Sequence, residues 1–93
     1  MDSTENTVFV GEKDIPAYVM AVQTQAVSYS EILLKARGRY MSKAIDISQI
    51  VVHKVLPGWE VVNIKIGTES NQETRMSYIY ITLQCKDTVR SAE

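Results

Sequence analysis

Five cations crowd a short central stretch of this chain. Lys35, Arg37, Arg39, Lys43 and Lys54 face a single acid, Asp46, between positions 35 and 54. The densest part is Lys35-Ala36-Arg37-Gly38-Arg39. In an extended strand alternate residues share a side, so Lys35 and Arg37 project together. Gly38 can turn the chain into a following helix, with Arg39 at its entry and Lys43 one turn on. The first N–H groups of a helix have no intrahelical partner and favour anions. Convergent cations beside free amide donors suit phosphate oxygens.

Other chemistries find little support. The single histidine, His53, cannot form a two-histidine metal site, and the single cysteine, Cys85, cannot form an internal disulfide or a multi-cysteine zinc site. Cys85 alternates toward the apolar side of its segment and reads as a small hydrophobe. There is no nucleophile elbow, phosphate-binding glycine loop, metalloprotease helix or dinucleotide fingerprint. The reading is a non-enzyme without a cofactor or metal. No apolar run approaches the ~18 residues of a membrane span, and a soluble intracellular protein is the expectation.

The elements that position the cations follow from periodicity. The chain has 93 residues, 45% of them hydrophobic, enough for one small domain with a core. Residues 7–10 read as a strand closed by Gly11. Asp14 and Pro16 then open a helix over residues 15–27, Asp14 as its cap and Pro16 in its first turn. Residues 29–37 form a second strand, with Ile32, Leu34 and Ala36 on one side and Leu33, Lys35 and Arg37 on the other. A second helix spans 40–56, its stripe running through Met41, Ala44, Ile45, Ser48, Val51, Val52 and Val55. Pro57-Gly58 ends it. Residues 59–68 and 76–86 alternate and make a long hairpin, joined by the wholly polar 69–75.

The order β-α-β-α-β-β implies a two-layer α/β sandwich: a mixed four-stranded sheet with both helices on one face. The ordered core spans about residues 7–86 of a single domain over 1–93, between polar termini. Ile47 and Ile50 fall off the main stripe of the second helix, which suggests a second buried contact with another subunit. Tyr78 and Tyr80 face away from the core side, where they could stack on bases or be covered by a partner. The polar hairpin tip, with nothing to anchor it and Arg75 at its end, reads as a mobile arm able to enter a groove.

These residues also resemble a known family. Gly11-Glu12-Lys13 before Tyr18-Val19, then Lys35-Ala36-Arg37-Gly38-Arg39 with Ser42-Lys43-Ala44-Ile45-Asp46 and Ile50-Val51, then Ile64-Lys65-Ile66-Gly67, look like the Alba family of archaeal chromatin proteins. The likeness runs in order from about residue 7 to residue 86. It implies a homodimer or heterodimer that coats and condenses double-stranded DNA, also binds RNA, and lies with the chromosome in the cytoplasm. By that pattern Lys13, Lys35, Arg37, Arg39 and Lys43 form the basic surface, and Arg75 lies on an arm reaching along the minor groove.

The chain departs from the family pattern in several places. The family's adjacent lysines after the first strand are here Glu12-Lys13, leaving Lys13 as the one site for the acetylation said to tune affinity. Val52 stands where the family often has Arg. Val55 replaces the aromatic residue of the dimer–dimer contact. The net charge is −1, where the family is usually basic. These departures suggest a second-type paralogue that pairs with a more basic Alba partner. The alternative is an RNA-associated assembly subunit resembling the Alba-like subunits of ribonuclease P.

Overall fold

The computed structural model describes residues 6–86. Strand β1 (Thr7–Phe9) leads to helix α1 (Ile15–Ala26), strand β2 (Glu31–Arg37), a 3-10 turn (Gly38–Tyr40), helix α2 (Met41–Ile50), and strands β3 (Trp59–Ser70) and β4 (Arg75–Cys85). The sheet order is β1-β2-β4-β3, with β1 and β2 parallel and the other pairs antiparallel. This is the expected mixed four-stranded α/β sheet with a C-terminal hairpin. The expected polar termini lie outside the described residues except for Asn6, which is tied down: its carbonyl accepts the Leu33 N–H at 2.9 Å and its side chain donates to the Glu31 carbonyl at 3.0 Å.

One face of the sheet carries the core. Ile32, Leu34 and Ala36 of β2 and Ile79, Ile81 and Leu83 of β4 are buried with Val22 of α1, Ala44 and Ile47 of α2 and Val51 just after it. Each fully buried side chain of this size contributes about 1.5–3 kcal/mol. Asp14 occupies the N-cap position of α1, but its side chain makes no capping bond. Its carbonyl takes the Ala17 N–H at 3.0 Å instead.

The second helix departs from expectation in two ways. It does not run regularly to Leu56: Val51–Val55 form a π-helical turn, and the Leu56 N–H donates to the Val51 carbonyl at 2.7 Å. Pro57, with no N–H to give, follows at once. The apolar stripe is also centred elsewhere. Ile47 is fully buried in the protomer's own core, whereas Ile45 is 44% exposed. At about 100° per residue, Ile47 lies some 60° from Ala44 in one direction and Ile45 some 100° away in the other. The assignment of Ile47 to an outer face is therefore corrected. Ile50, further round in the same direction as Ile47, is half-buried.

The hairpin gives the molecule its long axis, 52 Å against 25 and 22 Å. Its strands extend to Ser70 and Arg75, so the loop is four residues rather than seven. The turn is held by Asn71: its Oδ1 accepts the N–H groups of Glu73 (3.1 Å) and Thr74 (3.0 Å) and the Thr74 hydroxyl (3.0 Å), and its N–H donates to the Thr74 carbonyl at 2.9 Å. A side-chain oxygen that mimics a backbone acceptor closes a turn without apolar help.

Candidate nucleic-acid interface

The cations converge because the chain reverses direction at one glycine. Gly38 has φ 53°, in the left-handed region that side chains rarely adopt, and packs near the Met76 side chain. This turn brings Arg39 and Tyr40 beside the end of β2. The Arg39 guanidinium lies over the Tyr40 ring, 5.0 Å from its centroid, and donates to the Tyr40 hydroxyl at 2.9 Å. That hydrogen bond raises the Arg39 pKa further above its ordinary value, so the charge persists at any physiological pH. The Tyr40 hydroxyl in turn donates to Glu12 Oε2 at 3.4 Å. Arg37 is exposed and pairs with Glu69 across the hairpin at 3.2 Å.

Lys43 is placed differently from its expected role. Its ammonium donates to the carbonyls of Gly11 (2.7 Å) and Lys13 (2.8 Å), spending two of its three donors. The Tyr18 hydroxyl accepts the N–H groups of the same two residues at 2.8 and 3.1 Å. Lys43 and Tyr18 thus clamp the β1–α1 loop from both sides. The clamp holds Lys13 at the rim of the site with its side chain exposed.

The face of the sheet away from the helices carries a pattern that only the strand register makes visible. Phe9 pairs with Lys35, Lys35 with Tyr80, and Tyr80 with Lys65. Paired residues project to one side, so this rung alternates aromatic, cation, aromatic, cation. The Lys35 ammonium sits 5.7 Å from the Phe9 ring and 4.8 Å from the Tyr80 ring. The next rung is Arg37, Tyr78 and Gly67. Tyr78 stacks on Tyr80 at 4.9 Å and lies across Gly67, where any Cβ would overlap its ring. A groove of about 820 Å³ opens at the end of this face, between Phe9, Lys35, Arg39, Tyr40, Met76 and Tyr80.

Of the residues singled out from sequence, Lys35, Arg37 and Arg39 come together and Lys13 lies close by through the clamped loop. Arg75 does not join them. It is exposed on the last rung before the turn, opposite Ser70, and by alternation it projects to the helix side of the sheet. Sequence reading missed Phe9 and Lys65. Phe9 was detectable, because buried Val8 and Val10 flank it and force it to the opposite face. Lys65 required the β3–β4 register. His53 is exposed, its ring bonded to Gln49 at 3.2 Å. Among the described residues no cluster of His, Cys, Asp or Glu could hold a metal ion, and no helix is long and apolar enough to cross a membrane.

A second surface lies on the helix side, beyond α2. Ile64 and Ile66 of β3 pair with buried Ile81 and Ile79 but are themselves 57% and 70% exposed. Val62, at a bulge between Val61 and Asn63, and Ile45 of α2 are exposed too. Val52 and Val55, both on the π-helical turn, are half-buried.

Comparison with known proteins gives consistent results. The family model described as Alba matches residues 6–69. The chain is 50% identical over 66 residues to the DNA/RNA-binding protein Alba 1 of Archaeoglobus fulgidus, covering 70% of this chain and 74% of that protein. It is 43% identical over 84 residues to the DNA/RNA-binding protein Alba of Thermoplasma acidophilum, covering 85% and 94%. Among solved structures, Alba from Thermoplasma volcanium superposes with a TM-score of 0.79 at 39% identity, covering 85% of this chain and 99% of that one. ALBA1 from Trypanosoma brucei shares the fold, with a TM-score of 0.78 at 17% identity over 97% of this chain and 77% of the other.

Proposed function

The chain belongs to the Alba family, and from that premise we propose that it is a chromosome-associated protein that binds nucleic acid without sequence preference. It coats and compacts double-stranded DNA, binds RNA, and acts as a dimer in the cytoplasm. The relatives named as DNA/RNA-binding proteins support the ligand class. The observation that carries the reading is the convergence of Lys35, Arg37 and Arg39 at the Gly38 turn, with Lys13 at the rim.

The mechanism is charge neutralisation. Lysine and arginine displace counterions condensed on the phosphates, and phosphate contacts fix position without reading bases. Arg39, held against the Tyr40 ring and bonded to its hydroxyl, has its guanidinium pre-oriented and loses little freedom on binding. Lys43 acts at one remove, by fixing the loop that carries Lys13. Acetylation of Lys13 would remove one exposed cation from the rim. Arg75, on the other face of the arm, would be a separate cation for phosphate beyond this cluster.

The dimer contact is better supported on a different surface from the one expected at Ile47, Ile50 and Val55. Ile64 and Ile66, with Val62 and Ile45 also exposed, leave apolar surface on the helix side that a second Alba chain, identical or more basic, would cover. The test of function is a salt titration on unrelated duplexes. Log affinity should fall linearly with log salt and be alike across sequences. Weak binding with a flat slope would favour the protein-mediated assembly role instead.

A further inference from the structure

The rung Phe9–Lys35–Tyr80–Lys65 holds more than phosphate tracking requires. Phe9 is 60% exposed on a sheet face that carries no helix. Its ring can give a phosphate no hydrogen bond. A regular duplex keeps its bases stacked inside, so an aromatic on this face gains nothing from one. An unpaired nucleotide is different: every base offers a π-face, and every base comes with a phosphate. Aromatic rings alternating with cations match both parts of that repeat.

The geometry supports this match. Adjacent strands lie about 4.8 Å apart, so Phe9 and Tyr80 are separated by about 10 Å with Lys35 between them. The Lys35 ammonium rests against both rings. An arriving phosphate draws that ammonium outward and uncovers the ring faces for bases. Arg39 and Tyr40 border the same groove, whose 820 Å³ lies within the ~300–1,000 Å³ usual for sites that enclose a small ligand. Tyr78, seated on Gly67, packs against Tyr80 with the rings 4.9 Å apart and tilted by 32°, and so supports the platform from one side.

We propose that this open sheet face is a second nucleic-acid site, a stacking platform for the unpaired bases of a single strand. Phe9 and Tyr80 support the bases, and Lys35 and Arg39 hold the flanking phosphates. The inference rests on the nucleic-acid reading above and adds a second ligand form, which shares Lys35 and Arg39 with the duplex and adds the rings of Phe9 and Tyr80.

The test measures anisotropy with a labelled oligouridylate, an oligothymidylate and a mixed-sequence duplex at fixed salt, then across a salt series. Phe9→Ala should weaken single-strand binding by roughly tenfold, as losing one base–aromatic stack does, and leave duplex affinity within about twofold. Its single-strand salt slope should equal that of the wild type, because stacking releases no counterions. Phe9→Tyr keeps the ring and should restore binding. Phe9 is exposed, so thermal unfolding of the variants should match the wild type. Equal losses on single strand and duplex, or none on either, would overturn the platform while leaving the duplex reading intact. A wild-type protein that binds duplex but no single strand overturns it as well. Binding to neither form removes both readings together.

Discussion

Over the outer half of strand β3 both faces are exposed, and they differ entirely in chemistry. On the helix side Ile64 and Ile66 are exposed, on the open side Lys65 stands across from Tyr80, and neither set is needed to hold the protomer together. Alternation in a strand is usually read as inside against outside. Here it separates two outsides. The apolar one asks for a protein surface, and the charged and aromatic one asks for an anion with flat rings. α2 marks the boundary: it covers Ile79 and Ile81 of β4, and their partners on the edge strand are left open.

The sharpest way to break this comparison is to charge the apolar face alone. Two isoleucines buried in a contact contribute about 3–6 kcal/mol. Ile64→Lys with Ile66→Lys should therefore weaken self-association or partner association by about a hundredfold or more. The protomer's circular dichroism should be retained, since neither side chain is in the core. Sedimentation at micromolar concentration measures the effect; an unchanged mass would show that this strip is not the contact. Ile47→Ala provides the contrast. It opens a cavity in the protomer's core and should cost about 2–5 kcal/mol of unfolding free energy, a loss of fold rather than of assembly.

The opposite perturbation removes a cation from the open face. Arg39→Ala should lower the salt slope on duplex DNA by roughly one unit and weaken binding to unrelated sequences alike. Oligomer mass should not change. A mutant with the wild-type slope would take the Gly38 turn out of the interface.

Much of this was legible before any coordinates. The β-α-β-α-β-β order, the alternation of β2 and the cluster around Gly38 follow from period and residue type, because each is a local property. What failed was the phase of α2. Its apolar residues wrap far around the helix, so a stripe drawn through Ile45 looked as good as one through Ile47; only packing against α1 and the sheet decides between them. The π-helical turn was invisible for a similar reason, since Val51–Val55 fits a regular helix in composition. The site was half legible. The cations could be named, but their partners could not. Lys43 bonded to two carbonyls, Arg37 paired with Glu69 and Tyr40 bonded to Glu12 are all contacts across distant sequence.

Those acidic partners allow a finer adjustment. Glu69 competes with phosphate for Arg37, and both side chains are exposed, so the pair adds little to stability, about 0–1 kcal/mol. Glu69→Gln should leave the thermal midpoint nearly unchanged and raise duplex affinity about two- to threefold at low salt, with the gain fading as salt screens it. Lower affinity in the variant would mean that Glu69 positions Arg37 for its contact rather than occupying it.

The smallest expected effect lies at the hairpin tip, where the two faces meet. Residues 71–74 hold no apolar side chain, and absence of an anchor suggested a mobile arm. The structure offers another kind of anchor in the three groups gathered on Asn71 Oδ1. These bonds are exposed to water, so their net worth is about 1 kcal/mol in all. Asn71→Ala should leave global unfolding unchanged, because local opening at a tip is independent of the core. It should speed amide exchange at Glu73 and Thr74 severalfold while the Ile79 and Ile81 amides keep their protection. Exchange by NMR separates the alternatives directly. Equal rates at Glu73 and Thr74 in both proteins would restore the loose arm, and slowed tip exchange on adding duplex would then mark it as a segment that orders on binding.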